Sequence, residues 1–182
     1  MADTGIGKRY ATALFNAAVA EDVLDQVHDD VVGFGRLLQS ERRFARFLAS
    51  LQVTTEQKKD TVARVIANHA SGLFVKFIQL LIDKKRITSF DEVVKAFESL
   101  YEAHNNILRV DFITAVPLDT DLERKAKEMI ERWTGKTVKS VKHVDHRIIG
   151  GMIMVAGDKI IDGSIRNRLA ELRTQLLEAR VN

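Results

Sequence analysis

The chain has no cysteine, one proline and one tryptophan, and its 28 basic side chains are nearly balanced by 25 acidic ones. Without cysteine there is no disulfide framework, no thiolate metal site and no thiol nucleophile, which fits a reducing compartment. Long apolar runs are also missing. The longest nearly uncharged stretch, Tyr10 to Ala20, has eleven residues, whereas a membrane span needs about 20. The opening MADTGIGKRYATALF has no basic lead into an apolar core with a cleavage site, so it does not read as a secretory signal. A concentration of one charge is missing as well: residues 1–105 carry 14 basic and 14 acidic side chains, residues 106–182 carry 14 and 11. Lys84-Lys85-Arg86 is one short cluster, and aromatics do not interleave with cations, so nucleic-acid binding is not expected.

What is present is a globular composition, 46% apolar and 29% charged, in 182 residues, enough for one medium domain or two small ones. Residues 1–105 read as six amphipathic helices. The first runs from about Ile6 to Ala20 and the second from an Asp22 cap to Gln39. A short third carries Phe44, Phe47 and Leu48. Thr54 or Thr55 caps the fourth, and Ser71 opens the fifth, which closes on Lys84, Lys85 and Arg86. Thr88 or Ser89 caps the sixth, with Phe90, Val93, Val94, Phe97, Leu100 and Tyr101 as its inner stripe. At His104-Asn105-Asn106 the hydrophobic period changes from 3.6 to 2, and the domain boundary is placed there. Leu108, Val110 and Phe112 then alternate through a strand that Pro117 ends. A helix carries Leu122, Ala126, Met129, Ile130 and Trp133 on one face and stops at Gly135, with Trp133 read as core. Thr137–Val144 and Ile148–Val155 read as strands, Gly157-Asp158 as a turn before Lys159-Ile160-Ile161, and Asp162 or Ser164 as the cap of a closing helix. The expected fold is mainly α: a six-helix bundle over 1–105 followed by a small α+β domain over 106–182.

A search for chemistry returns little. Gly5-Ile6-Gly7-Lys8 lacks the spacing of a phosphate loop and the Ser or Thr after its lysine. In an extended His143-Val144-Asp145-His146 segment, His143 and Asp145 face one way and His146 the other, so three metal ligands do not converge. Gly150-Gly151 fits a bulge or a close backbone crossing, and Asp162-Gly163-Ser164 fits a helix cap. No catalytic residue, metal site or cofactor is assigned.

Two helices depart from the ordinary amphipathic pattern. YATALFNAAVA from Tyr10 to Ala20 has only a narrow polar strip, and helix five is interrupted only by Lys76 and Gln79 between Leu73 and Ile82. A unit of this size has room for one encircled helix, so two imply either a thick core or a partner that supplies the missing wall. The small Ala11, Ala13, Ala17 and Ala18 leave a shallow surface for a close helix approach. The groove assigned from this pattern has Tyr10, Ala13, Leu14 and Ala17 on one wall and Val75, Ile78, Gln79 and Ile82 on the other. A foreign amphipathic helix is its occupant.

The segments RYATALF (Arg9–Phe15), Lys85-Arg86-Ile87 leading into Phe90, VDFITAVPL (Val110–Leu118) and DHRIIGGMIMVAGDKIIDGSIR (Asp145–Arg166) stand in the order and spacing of one family. Through them the chain resembles the delta subunit of the F-type ATP synthase, called the oligomycin-sensitivity-conferring protein in mitochondria. The resemblance implies a non-catalytic stator whose N-terminal domain grips the N-terminal helix of an alpha subunit. It implies that the C-terminal domain holds the paired b subunits of the peripheral stalk, so that the head resists rotor torque and proton flow stays coupled to ATP synthesis. Candidate stalk contacts are Arg166, Arg168 and Arg173 on the last helix. The implied setting is the cytoplasmic face of a bacterial cell membrane, reached only through the complex, with one copy per complex. A small helical RNA-binding or adaptor protein is the alternative reading.

Overall fold

The computed structural model describes residues 4–66 and 70–179, and the chain divides into two compact units, Met1–Tyr101 and Glu102–Asn182. Six α-helices precede the first strand among the described residues: α1 (Thr4–Ala20), α2 (Leu24–Ser40), α3 (Arg42–Ala49), α4 (Thr55–Ile66), α5 (Gly72–Asp83) and α6 (Phe90–His104). A 3-10 turn over Ile87–Ser89 leads directly into α6, in place of the Thr88 or Ser89 cap that the sequence suggests. The division between the units falls inside the last turn of α6. The second unit continues with β1 (Ile107–Thr114), α7 (Thr120–Thr134), β2 (Thr137–Val144), a 3-10 turn (His146–Ile148), β3 (Met152–Ala156), β4 (Lys159–Asp162) and α8 (Ile165–Ala179). The protein is thus mainly helical, with a small four-stranded sheet in its second unit.

In the first unit α5 is the central element, packed against α1, α2, α4 and the 3-10 turn. Its Phe74 joins Phe34 of α2 and Phe90 of α6 in a triangle of edge-to-face rings, with centroids 5.8, 5.1 and 6.3 Å apart. Each such pair adds about 0.5–1.5 kcal/mol beyond the area it buries. The start of α5 is fixed locally and from a distance. The Ser71 hydroxyl accepts from the Phe74 amide at 3.3 Å, while the Ser71 amide and hydroxyl donate to Asp30 Oδ2 at 2.8 and 2.7 Å. α4 opens on a reciprocal cap in which Thr54 Oγ1 accepts from the Gln57 amide and Gln57 Oε1 accepts from the Thr54 amide.

Asp22 does not cap α2. It adopts φ 56° and ends α1 instead: its amide donates to Val19 O at 3.2 Å and the Val23 amide reaches back to Ala18 O at 3.0 Å. That pair of bonds is a Schellman closure with aspartate in the left-handed position. α5 closes the same way, with Lys85 at φ 55°, its amide on Ile82 O and the Arg86 amide on Leu81 O.

The sheet of the second unit has the order β2-β1-β3-β4, with β1 parallel to β2 and antiparallel to β3, and β3 antiparallel to β4. Alternation along β1 buries Val110, Phe112 and Thr114 and leaves Arg109 exposed. Val110, Phe112 and Val138 form a small core that Leu108, Ala126, Ile130, Met152 and Met154 complete. α7 is capped by Asp119, whose Oδ1 accepts from the Asp121 and Leu122 amides, and it ends on Gly135 at φ 68°. β3 and β4 join through a two-residue turn with positive φ at Gly157 alone, the pattern of a type II′ hairpin.

β3 begins at Met152 rather than Ile148. Ile149 has φ 70° and Gly151 φ 78°, so the backbone is turned away from extended geometry between them. The reason is a close backbone crossing. A Cβ on Gly151 would stand 2.3 Å from Gly163 O, and one on Gly150 would meet Ile165 Cδ1 at 2.7 Å. The Ile165 amide donates to Gly150 O and the Gly163 amide to Met152 O across the same junction. Ser164, buried at the junction, caps α8 through its hydroxyl to the Asn167 amide at 3.1 Å, and its own amide is held by Asp162 Oδ1.

Candidate docking surfaces

The motifs screened for chemistry are absorbed by structure. Gly5-Ile6-Gly7-Lys8 lies inside α1, where a Cβ on Gly7 would sit 2.6 Å from Glu92 Cβ of α6, so that glycine permits a close helix contact. His143 Nε2 lies 3.2 Å from Asp111 Oδ1 on the neighbouring strand. Asp145 accepts from the Arg147 amide, Nε and Nη2, which holds its carboxyl down to about 2, mainly through the Arg147 side chain and then its backbone amide. The Glu123 carboxyl is held below its ordinary value because Ser140 and then Lys142 donate to it across the α7–β2 contact. These are local structural pairs of the second unit.

In the first unit α1 and α5 are neighbours, and the Tyr10 and Phe77 rings meet edge to face at 6.4 Å. Burial divides the residues read as a groove. Leu14, Ile78 and Ile82 are 2%, 0% and 3% exposed, so they belong to the core and present no side chain to a ligand. Ala13 is exposed, and Tyr10, Ala17, Val75 and Gln79 are half-buried. Phe77 shares its flank of α5 with Leu73 and Leu80, at spacings of four and three. Val75 and Gln79 lie about 160° further round the helix. Gln79 precedes Asp83 by one turn, and Asp83 pairs with Lys59 of α4, so α4 borders that row. Beside the buried Phe77, the residues that keep exposed surface are Tyr10, Ala13 and Ala17 of α1 and Leu73 and Leu80 of α5. Leu80 stays 43% exposed there. Sequence alone could not choose between two apolar flanks of α5. The Tyr10–Phe77 contact brings α1 to the flank that carries Leu73 and Leu80.

The second unit carries more uncovered apolar surface. Only Ala126 and Ile130 of the α7 stripe pack on the sheet, whereas Leu122, Met129 and Trp133 are exposed, Trp133 by 77%. Trp133 is not a core residue. It borders a cleft of about 520 Å³ with Leu108, Ile130, Met154 and Ile161. Ile165, Leu169, Leu172 and Leu176 form an exposed row on α8, and Arg166, Arg168 and Arg173 are exposed on the same helix. Among the described residues no helix is long and apolar enough to cross a membrane.

Comparison with known proteins covers nearly the whole chain. The family model described as ATP synthase delta (OSCP) subunit matches residues 6–176. ATP synthase subunit delta of Syntrophus aciditrophicus is 33% identical over 98% of this chain and 99% of its own length, and that of Lactobacillus gasseri is 32% identical over 96% of each. Among solved structures, a chain of the Toxoplasma gondii mitochondrial ATP synthase hexamer shares the fold, with a TM-score of 0.76 at 22% identity over 94% of this chain and 97% of that one. A chain of the Polytomella F-ATP synthase, at 26% identity, matches 54% of this chain and 87% of its own with a TM-score of 0.51.

Proposed function

Because this chain belongs to the ATP synthase delta (OSCP) subunit family, we propose that it braces the synthase by holding the N-terminal helix of an alpha subunit with its first unit and the paired b subunits with its second. The chain is a non-catalytic stator subunit of the F-type ATP synthase. Its task is mechanical. Rotation of the central rotor loads the catalytic head with torque, and a head free to turn with the rotor would let protons pass without ATP being made. A brace has to bind at both ends and needs no reacting group.

In this reading α1 to α6 act as a six-helix docking unit, and the α1–α5 seam is the grip. The small side chains of Ala13 and Ala17 let a second backbone approach, while Tyr10, Leu73 and Leu80 supply apolar contact for anchors spaced at three and four residues on an amphipathic helix. The second unit, with its uncovered rows on α7 and α8, takes the stalk. The protein then sits on the cytoplasmic face of the membrane, attached through the complex.

The docking assignment is supported by the exposed Ala13 and Leu80, each one helical turn from the Tyr10–Phe77 ring contact. Calorimetric titration of the full chain with a peptide of the alpha subunit N-terminus tests it. Binding at micromolar concentration or below, lost in Ala13→Arg with the circular dichroism spectrum unchanged, is the expected result. No heat of binding, or equal binding by Ala13→Arg, would remove the seam from the account.

A further inference from the structure

The exposed apolar side chains of α8, Ile165, Leu169, Leu172 and Leu176, recur at intervals of four, three and four, and their exposures run from 46% to 71%. That alternation is the seam of a two-stranded helical pair, with Leu169 and Leu176 at a positions and Ile165 and Leu172 at d. The seam is narrow, unlike the wide apolar face of a helix that lies in a membrane surface. The same register puts Arg166 and Arg173 at e and Arg168 and Gln175 at g. Glu171 falls at c, behind the seam, where its Oε1 accepts from Asn167 Nδ2 at 3.0 Å. Arg166 directs its charge at Asp145 and Asp162 near the start of the helix. Arg168 and Arg173 have no acidic partner among the described residues.

These charges select the occupant. In a parallel pair of two copies, g faces the e position five residues on, so Arg168 would face Arg173 of the other copy twice over. In an antiparallel pair the e positions face each other, again arginine against arginine. Like charge on both borders opposes self-pairing, while an acidic border on a different helix would meet both cations favourably. We propose that α8 is a pairing helix for a partner helix whose apolar stripe is bordered by Asp and Glu, and that its own arginines exclude a second copy of this chain. The proposal rests on the reading that the second unit meets the stalk, and it names the chemistry of the helix met there.

The test uses the full chain and two synthetic peptides of leucine heptads, one with Glu at e and g and one with Lys, followed by fluorescence anisotropy. The Glu-bordered peptide is expected to bind at least about ten-fold more tightly than the Lys-bordered one. Arg168→Glu with Arg173→Glu should reverse that order. Leu172→Asp should abolish binding of both peptides while its circular dichroism and its binding of the alpha-subunit peptide stay unchanged. Equal binding of both peptides, an unchanged order in the double variant, self-association that Leu172→Asp removes, or preference for anionic lipid vesicles would each overturn the proposal. The soluble part of the paired b subunits separates the two levels of the argument. If it binds the chain and Leu172→Asp alike, the role of α8 falls and the stalk reading stands. If it binds neither, the stalk reading falls, and the peptide order alone decides α8.

Discussion

Lys85 and Asp22 each hold a left-handed backbone angle that glycine adopts without a Cβ penalty. Replacing Lys85 by glycine should raise stability by about 0.5–1 kcal/mol, the relief of the left-handed strain less the added freedom of the unfolded chain. Urea denaturation followed by circular dichroism measures it, and a loss of stability would show that the Lys85 side chain matters more than its backbone. Asp145 makes a prediction in pH. Its carboxyl titrates near 2, below the ordinary 3.8, because Arg147 stabilises the charged form. A depressed value contributes stability that is present above the unfolded value and is lost as pH falls through the folded one. Asp145→Asn should therefore be less stable than the parent at pH 7, and the difference should vanish between about pH 4 and pH 2. A gap that persists at the acid end would assign the effect to something other than the carboxylate charge.

Among the elements, most of those with local signals are legible in the sequence, although Asp22 closes α1 instead of capping α2 and a 3-10 turn stands where a cap for α6 is expected. The Ser71 cap, the Gly135 stop and the Gly157-Asp158 turn each depend on a few adjacent residues and are present, and of the two caps offered for the closing helix, Asp162 or Ser164, it is Ser164 that accepts from the Asn167 amide. Long-range facts were not legible. Nothing near Ser71 announces that Asp30 holds it from 41 residues away. An apolar stripe also reads as core whichever molecule covers it, which is why Trp133 reads as core in the sequence yet stands exposed, and why periodicity alone leaves both flanks of α5 open as a docking wall. The Gly150-Gly151 junction belongs to this scale because it sets where β3 ends and α8 begins. Gly151→Ala puts a methyl group against Gly163 O in a backbone conformation that L residues avoid. The expected cost is about 2–4 kcal/mol, read from the urea midpoint at unchanged slope. A Gly5→Ala control, with open space at its Cβ, should shift the midpoint far less.

Taken as a whole, the molecule joins a well-packed helical unit to one that buries few side chains. The ring triangle and buried aliphatics of the first unit contrast with a three-residue buried centre in the sheet. Hydrogen exchange should mirror that contrast: α5 amides should be the slowest to exchange, and α8 amides among the fastest in the free chain. Adding the soluble paired b subunits should slow α8 selectively, and a uniform change across both units would contradict the division of labour.

The two border strands of the sheet bear on life before assembly. β4 is four residues long, and β2 exposes Lys139, Lys142 and His143 along its eight. Neither offers a long neutral template for another chain to extend. A newly made copy, waiting with its oily rows unclaimed, thus carries sheet borders that oppose the strand addition from which fibrils grow.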